Sequence, residues 1–132
     1  GSDAQGSITL ELNSGAFFKP GSAEFQEQAL PVLTAMFEEL SSPIYAQFNL
    51  NIEGHTDDDP ISTAKFPSNW ELSAARAAAV ARFLISRGVD PERITVIGYG
   101  DTKPKEDNRD INGVPIPENM ATNRRVVVRI ER

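Results

Sequence analysis

Residues 47–53, Gln-Phe-Asn-Leu-Asn-Ile-Glu, alternate polar and apolar without a break, with Phe48, Leu50 and Ile52 on one side. Period two is the repeat of a half-buried strand, because successive side chains leave a strand on opposite faces. The other face carries Asn49, Asn51 and Glu53. A strand covered on both faces reads as a continuous apolar run, so the sheet that this strand joins is covered by helices on one side only.

The rest of the chain supplies the partners. Ile8-Thr9-Leu10-Glu11-Leu12 shows the same alternation and is ended by Asn13-Ser14-Gly15. After a loop at 16–21, a helix is predicted from about residue 23, carried by Ala29, Leu30, Leu33, Phe37 and Leu40 and stopped by Ser41-Ser42-Pro43. Pro31 lies inside that run and kinks or delays the helix. Beyond Gly54 comes a polar, Asp-rich loop bounded by Pro60 and Pro67. Ser68 then stands three residues before Glu71, the spacing of a capping box. The helix it opens runs to about Arg87, where Gly88 suits a left-handed cap. Residues 94–97 form a short β-branched strand and residues 126–130 a last one. Residues 101–122 are too long and polar for an ordinary connection, and are functional or mobile. The order β-α-β-α-β-β predicts an α/β (α+β) two-layer sandwich: a mixed sheet with both helices on one face.

At 132 residues, 39% of them apolar, the chain suits one core. Residues 7–132 are read as a single domain, and residues 1–6 as a tag remnant and flexible N-terminus, because Gly1-Ser2 resembles a cloning scar. Thirteen basic against nineteen acidic residues give a net charge of −6, which disfavours nucleic acid as the main partner. The absence of cysteine removes disulfides, thiolate metal sites and thiol nucleophiles together. No apolar run approaches the roughly 18 residues of a membrane span, and the polar start leaves open a longer natural chain with such a span upstream.

One side chain is out of place. With Leu72 at 0° on a helical wheel, Phe83 falls at about 20°, Ala79 at about 340° and Val80 at about 80°. Arg76, at about 40°, shares this core face. A guanidinium there is costly unless paired. The acid at the end of the preceding strand, Asp57, is the natural partner. Two readings stay open: a structural Asp57–Arg76 ion pair, or a pair left open to receive a zwitterion, with Asp57 taking an ammonium and Arg76 gripping a carboxylate. No metal or other cofactor is expected. Asp57-Asp58-Asp59 lacks the alternating spacing and closing glutamate of a calcium loop, and His55, the only histidine, is read as structural. Ser68 and Ser73 have no histidine at a motif spacing. Of Arg124 and Arg125, one is expected to face the helices.

Gly54-His55-Thr56-Asp57, Asn69 with Leu72-Ser73 and Arg76-Ala77, Gly98-Tyr99-Gly100 with Pro104, and Asn123-Arg124-Arg125-Val126 together resemble the OmpA-like peptidoglycan-binding domain, over nearly the whole chain. Within that family, Pro60-Ile61-Ser62, Phe66-Pro67-Ser68-Asn69-Trp70 and the long loop after Asp57 are most similar to the flagellar stator (MotB-type) branch. The resemblance implies a non-catalytic module that grips the diaminopimelate of the peptidoglycan stem peptide through Thr56, Asp57, Asn69, Leu72, Arg76 and Arg124. It also implies a periplasmic domain of an inner-membrane protein, a MotA-like channel subunit as partner and a homodimer. The alternative is the wall-anchoring domain of an outer-membrane porin or lipoprotein of the same family.

Overall fold

The computed structural model describes residues 8–132; the tag remnant and flexible start expected at residues 1–6 lie outside the described residues. Four strands, β1 (Ile8–Asn13), β2 (Asn49–His55), β3 (Ile94–Gly98) and β4 (Arg125–Glu131), lie in the order β1-β4-β2-β3. β4 is antiparallel to both of its neighbours, whereas β2 and β3 are parallel. A parallel pair needs a crossover, and helix α3 (Asn69–Ser86) supplies it. The sheet is mixed, as expected.

Register decides which side is buried. Leu12 pairs with Val126, Ile52 with Val128 and Leu50 with Ile130, so the apolar sets of three strands share one face. Leu33, Met36 and Leu40 of α2 (Ala29–Leu40) and Ala77, Val80 and Leu84 of α3 close the core over it. The buried stripe of α3 is centred nearer Ala77 and Leu84 than the wheel suggested, which leaves Phe83 only part-buried and Arg76 on the flank.

Three local departures have physical causes. Helix α2 starts at Ala29 rather than near residue 23, which makes Pro31 its third residue, where a missing N–H removes no intrahelical bond. A one-turn helix α1 (Ser14–Phe17) follows β1 directly, because the Asn13 side chain accepts from the Ala16 N–H at 3.2 Å. Helix α4 (Pro117–Asn123) opens on Pro117 inside the stretch read as loop.

The same stretch is held from within. Asn123, fully buried, accepts from the N–H groups of Lys105 at 2.9 Å and Glu106 at 3.0 Å. It donates to the Glu106 carbonyl and to Asn108 Oδ1, each at 2.9 Å.

Strand β2 also runs through Gly54 to His55, two residues beyond its alternating part. A Cβ on Gly54 would stand 2.0 Å from the Ser73 carbonyl oxygen, and one on Gly98 2.8 Å from Ala74 Cβ. These two glycines let α3 lie directly on the ends of β2 and β3.

Candidate functional site

The chain leaves β2 in a bonded turn. The Thr56 N–H donates to the Gly100 carbonyl at 2.9 Å, and Thr56 Oγ1 to the Asp57 carbonyl at 2.7 Å. Asp57 Oδ1 accepts from the Asp59 N–H at 3.0 Å. Asn69 Nδ2 reaches back from the start of α3 to the Asp59 carbonyl at 2.9 Å. Thr56 and Asn69 therefore set the shape of the loop, which presents Asp57 at only 6% exposure. Ser68 caps α3 by accepting from the Trp70 N–H at 3.2 Å, and its hydroxyl donates to Glu71.

Arg76 is 5% exposed and sits one turn after Leu72, itself buried. Its Nε donates to the Ser22 carbonyl at 2.8 Å and its Nη2 to that of Lys19 at 3.4 Å. The guanidinium carbon lies 5.1 Å from the centre of the Phe18 ring. Those two bonds occupy one edge of the guanidinium. The other edge, Nη1 with the second Nη2 proton, has no protein acceptor among the described residues. Burial, reinforced by the charge of Arg124 and opposed by Asp57, pushes the Arg76 pKa down to about 10, so the group remains charged at neutral pH.

Of the two readings left open, the closed Asp57–Arg76 ion pair is not formed. Asp57 Oδ2 is bound by Arg124 Nη1. Arg124 caps the end of α4 just before β4 begins and projects to the same side of the sheet as Val126, opposite Arg125. One arginine of the pair faces the helices, as expected: Arg124, on the side of α1 and α3. Arg124 reaches the Asp57 loop, Arg125 lies on the outer face in register with His55, and Val126 is the first inward residue of the strand.

Arg76 and Arg124 line a cleft of about 300 Å³ whose other walls include Ser14, Phe18 and Pro20. Two guanidinium groups line it, and counting the Asp57 carboxylate bound to Arg124 the net charge is 2 − 1 = +1. Ser14 Oγ, on the wall of the cleft, is buried and has no hydrogen-bond partner. The arrangement has room and donors for one further anionic group. Thr56, Asp57, Asn69 and Leu72 are outside the lining, Asp57 meeting it only through its bond to Arg124. The residues that sequence reasoning missed come from α1 and the turn after it. The only signal for them was Asn13, a good N-cap residue, and one helical turn has no periodicity to confirm it.

Two other charge sets lie outside the cleft. Arg109, from the long connection, donates to Asp58 Oδ2 at 2.8 Å and to Asp59 Oδ1 at 3.4 Å, which neutralises much of the acidity of that loop. On the outer face, burial raises the Glu53 pKa, but the hydrogen bond and charge of Arg129, helped by His55, outweigh it and the net shift is downward. His55 stacks on Tyr99 at 5.1 Å between ring centres. Burial and the charge of Arg125 lower its pKa against the opposing pull of Glu53.

A mixed four-stranded sheet, helices on one face and a cationic cleft at the strand ends define a small α/β domain suited to holding an anionic ligand. The chain belongs to the OmpA family, whose model matches residues 17–115. Motility protein B of Helicobacter pylori (strain J99) is 30% identical over 124 residues, covering 94% of this chain and 46% of that protein. The chain spans about half the length of the curated relatives it matches. Among solved structures, a MotB-like protein from Desulfovibrio vulgaris superposes with a TM-score of 0.83 at 35% identity, covering 96% of this chain and 76% of that one. The cell wall anchor of the type VI secretion system (T6SS) of Pseudomonas aeruginosa gives 0.81 at 30% identity, covering 95% and 81%. Among the described residues no helix is long and apolar enough to cross a membrane.

Proposed function

We propose that this chain is a non-catalytic peptidoglycan-binding module that ties a flagellar stator to the cell wall. The observation that carries the reading is the charge imbalance of the cleft, where one buried and one half-buried guanidinium group stand beside an unpartnered Ser14 hydroxyl and, of the two, the Asp57 carboxylate binds only Arg124 among the described residues. In this reading the free edge of Arg76, with Arg124 and Ser14, receives the carboxylate of diaminopimelate. Asp57 takes the ammonium on the lone pairs left by Arg124 and Asp59. Thr56, Asn69 and Leu72 hold the loop and helix that carry these groups. The wall as target is supported by the likeness to the cell wall anchor, and the stator by the likeness to motility protein B. On the same footing we place the domain in the periplasm, attached to the inner membrane by an upstream segment, paired with a MotA-like channel subunit and working as a homodimer.

Co-sedimentation with purified sacculi tests the reading. Ser14→Ala and Arg76→Ala should each weaken binding, the latter by roughly tenfold or more, the equivalent of one charge-assisted bidentate contact. Thermal melts separate loss of the site from loss of the fold, because Ser14→Ala removes only an unpaired hydroxyl and should melt like the wild type. Unchanged binding by both variants would sink the assignment of the cleft. Fragments released from the sacculi during the assay would overturn the non-catalytic reading.

A further inference from the structure

The solvent face of the sheet holds a second cavity, of about 300 Å³, lined by Glu53, His55, Tyr99, Lys103, Arg125 and Arg129 among others. The cleft of Arg76 and Arg124 lies at the ends of the strands on the helix side; this cavity opens on the opposite side of the sheet. Its polar groups are unevenly satisfied. Glu53 and Arg129 saturate one another, with Arg129 Nε on Glu53 Oε2 at 3.0 Å and Nη2 on Oε1 at 3.3 Å.

Arg125 is treated differently. It is 7% exposed, and its two terminal nitrogens donate to the carbonyls of Asn123 and Lys103, each at 2.9 Å. Both acceptors are neutral, its Nε has no partner, and among the described residues it makes no ion pair. His55, 4% exposed, has no hydrogen-bond partner on either ring nitrogen, and its Nε2 stands 3.5 Å from Glu53 Oε1. Lys103 holds its ammonium 5.8 Å from the centre of the Tyr99 ring, and it too has no ion pair among the described residues.

A buried guanidinium with no direct ion pair and an unbonded Nε, offset only by the more distant charges of Glu11 and Glu53, a buried imidazole with no hydrogen bond and an exposed, unpaired ammonium thus border one polar cavity. The two buried groups are costly as they stand, and one guest held beside the exposed ammonium would relieve both. We propose that the solvent face of the sheet carries a second ligand site, in which Lys103, Arg125 and His55 bind a small oxyanion, a carboxylate or a phosphate. Lys103 and Arg125 supply its countercharge. His55 is the neutral hydrogen-bonding partner, with Tyr99 packed against its ring. Glu53 is kept from repelling the anion because Arg129 neutralises it. The site is independent of the wall-binding reading, since it uses none of the residues of the first cleft. Through Arg124 and Arg125, neighbours in the chain, the two sites are served from opposite sides of the sheet.

Two-dimensional NMR of the whole chain at constant ionic strength tests this, with sodium phosphate and sodium acetate as probes and sodium chloride as control. Saturable shifts are expected at the Arg125 Nε–H, the His55 ring and the Lys103 amide with at least one of the two oxyanions. The one that saturates at lower concentration assigns phosphate or carboxylate as the preferred class. Lys103→Ala, at an exposed position, should leave the fold unchanged and weaken the binding by roughly tenfold, as expected for one lost charged contact. Shifts that merely follow chloride, that persist unchanged in Lys103→Ala, or that appear only around Arg76 and Arg124 would overturn the proposal.

Discussion

Arg124 binds the carboxylate of Asp57 across 67 residues of sequence, while Arg76, on the helix nearer in the chain, reaches the same cleft without touching it. The consequence is a cleft with more donors than acceptors. A closed Asp57–Arg76 strut would have satisfied both residues and left nothing for a ligand.

Asp57→Asn removes the negative charge that offsets, at Arg76, the repulsion of Arg124 that already helps to depress its pKa. Because the Arg124 side chain is 38% exposed, water screens part of the loss. Urea denaturation at pH 7 should show a loss of about 1–3 kcal/mol, smaller than for a fully buried pair. Added salt should recover part of it. A variant as stable as wild type at low salt would show that Asp57 does not hold the arginines together.

Gly54→Ala tests the contact between α3 and β2. With the Ser73 carbonyl 2.0 Å from the position of the new carbon, the helix has to lift off the strand, and overpacking against backbone should cost about 3 kcal/mol or more. A drop of less than about 1 kcal/mol in chemical denaturation would contradict the seating described here.

Acid should weaken the fold in two stages. The His55 pKa is lowered from 6.5 in the folded state, so the unfolded chain binds the proton more readily. The stability this group contributes is complete above about pH 6.5 and is lost as pH falls below it. Glu53, lowered from 4.5, adds a second loss below its own unfolded value. The melting temperature should therefore fall between pH 7 and pH 5 and fall again below about pH 4.5. His55→Phe keeps a ring against Tyr99 and should flatten the first stage while leaving the second. A first stage that survives this substitution would assign it to another group.

Asn123→Ala removes four hydrogen bonds at a position with no exposure and leaves backbone groups of residues 105 and 106 unpaired. The expected cost is about 2–4 kcal/mol. Limited proteolysis should cut first within residues 101–116 in the variant, and equal resistance of both proteins would show that the segment is held by other contacts.

Much of the framework could be read directly. Alternation at 47–53 placed β2 and its one-sided burial, and the Ser68–Glu71 spacing placed the start of α3, because both signals are local. The helix wheel put Arg76 beside the core. It could not say what the arginine touches, since the carbonyls of Lys19 and Ser22 come from a turn with no periodic pattern. Residues 101–122 read as loop because a seven-residue helix opened by proline is too short to show a repeat, and the hydrogen bonds of Asn123 join distant backbone.

The sequence by itself determined the two-layer sandwich, the acid at the end of β2, the arginine on α3 and the family resemblance. Hydrophobic period and capping are properties of neighbouring residues. Tertiary structure alone decided that Asp57 belongs to Arg124, that Ser14 lines the cleft and that Arg125 and His55 share the other face of the sheet. Those relations arise from the pairing of β4 with β2 and the close approach of α3 over Gly54. Strand register and packing fix them between segments that no local pattern connects.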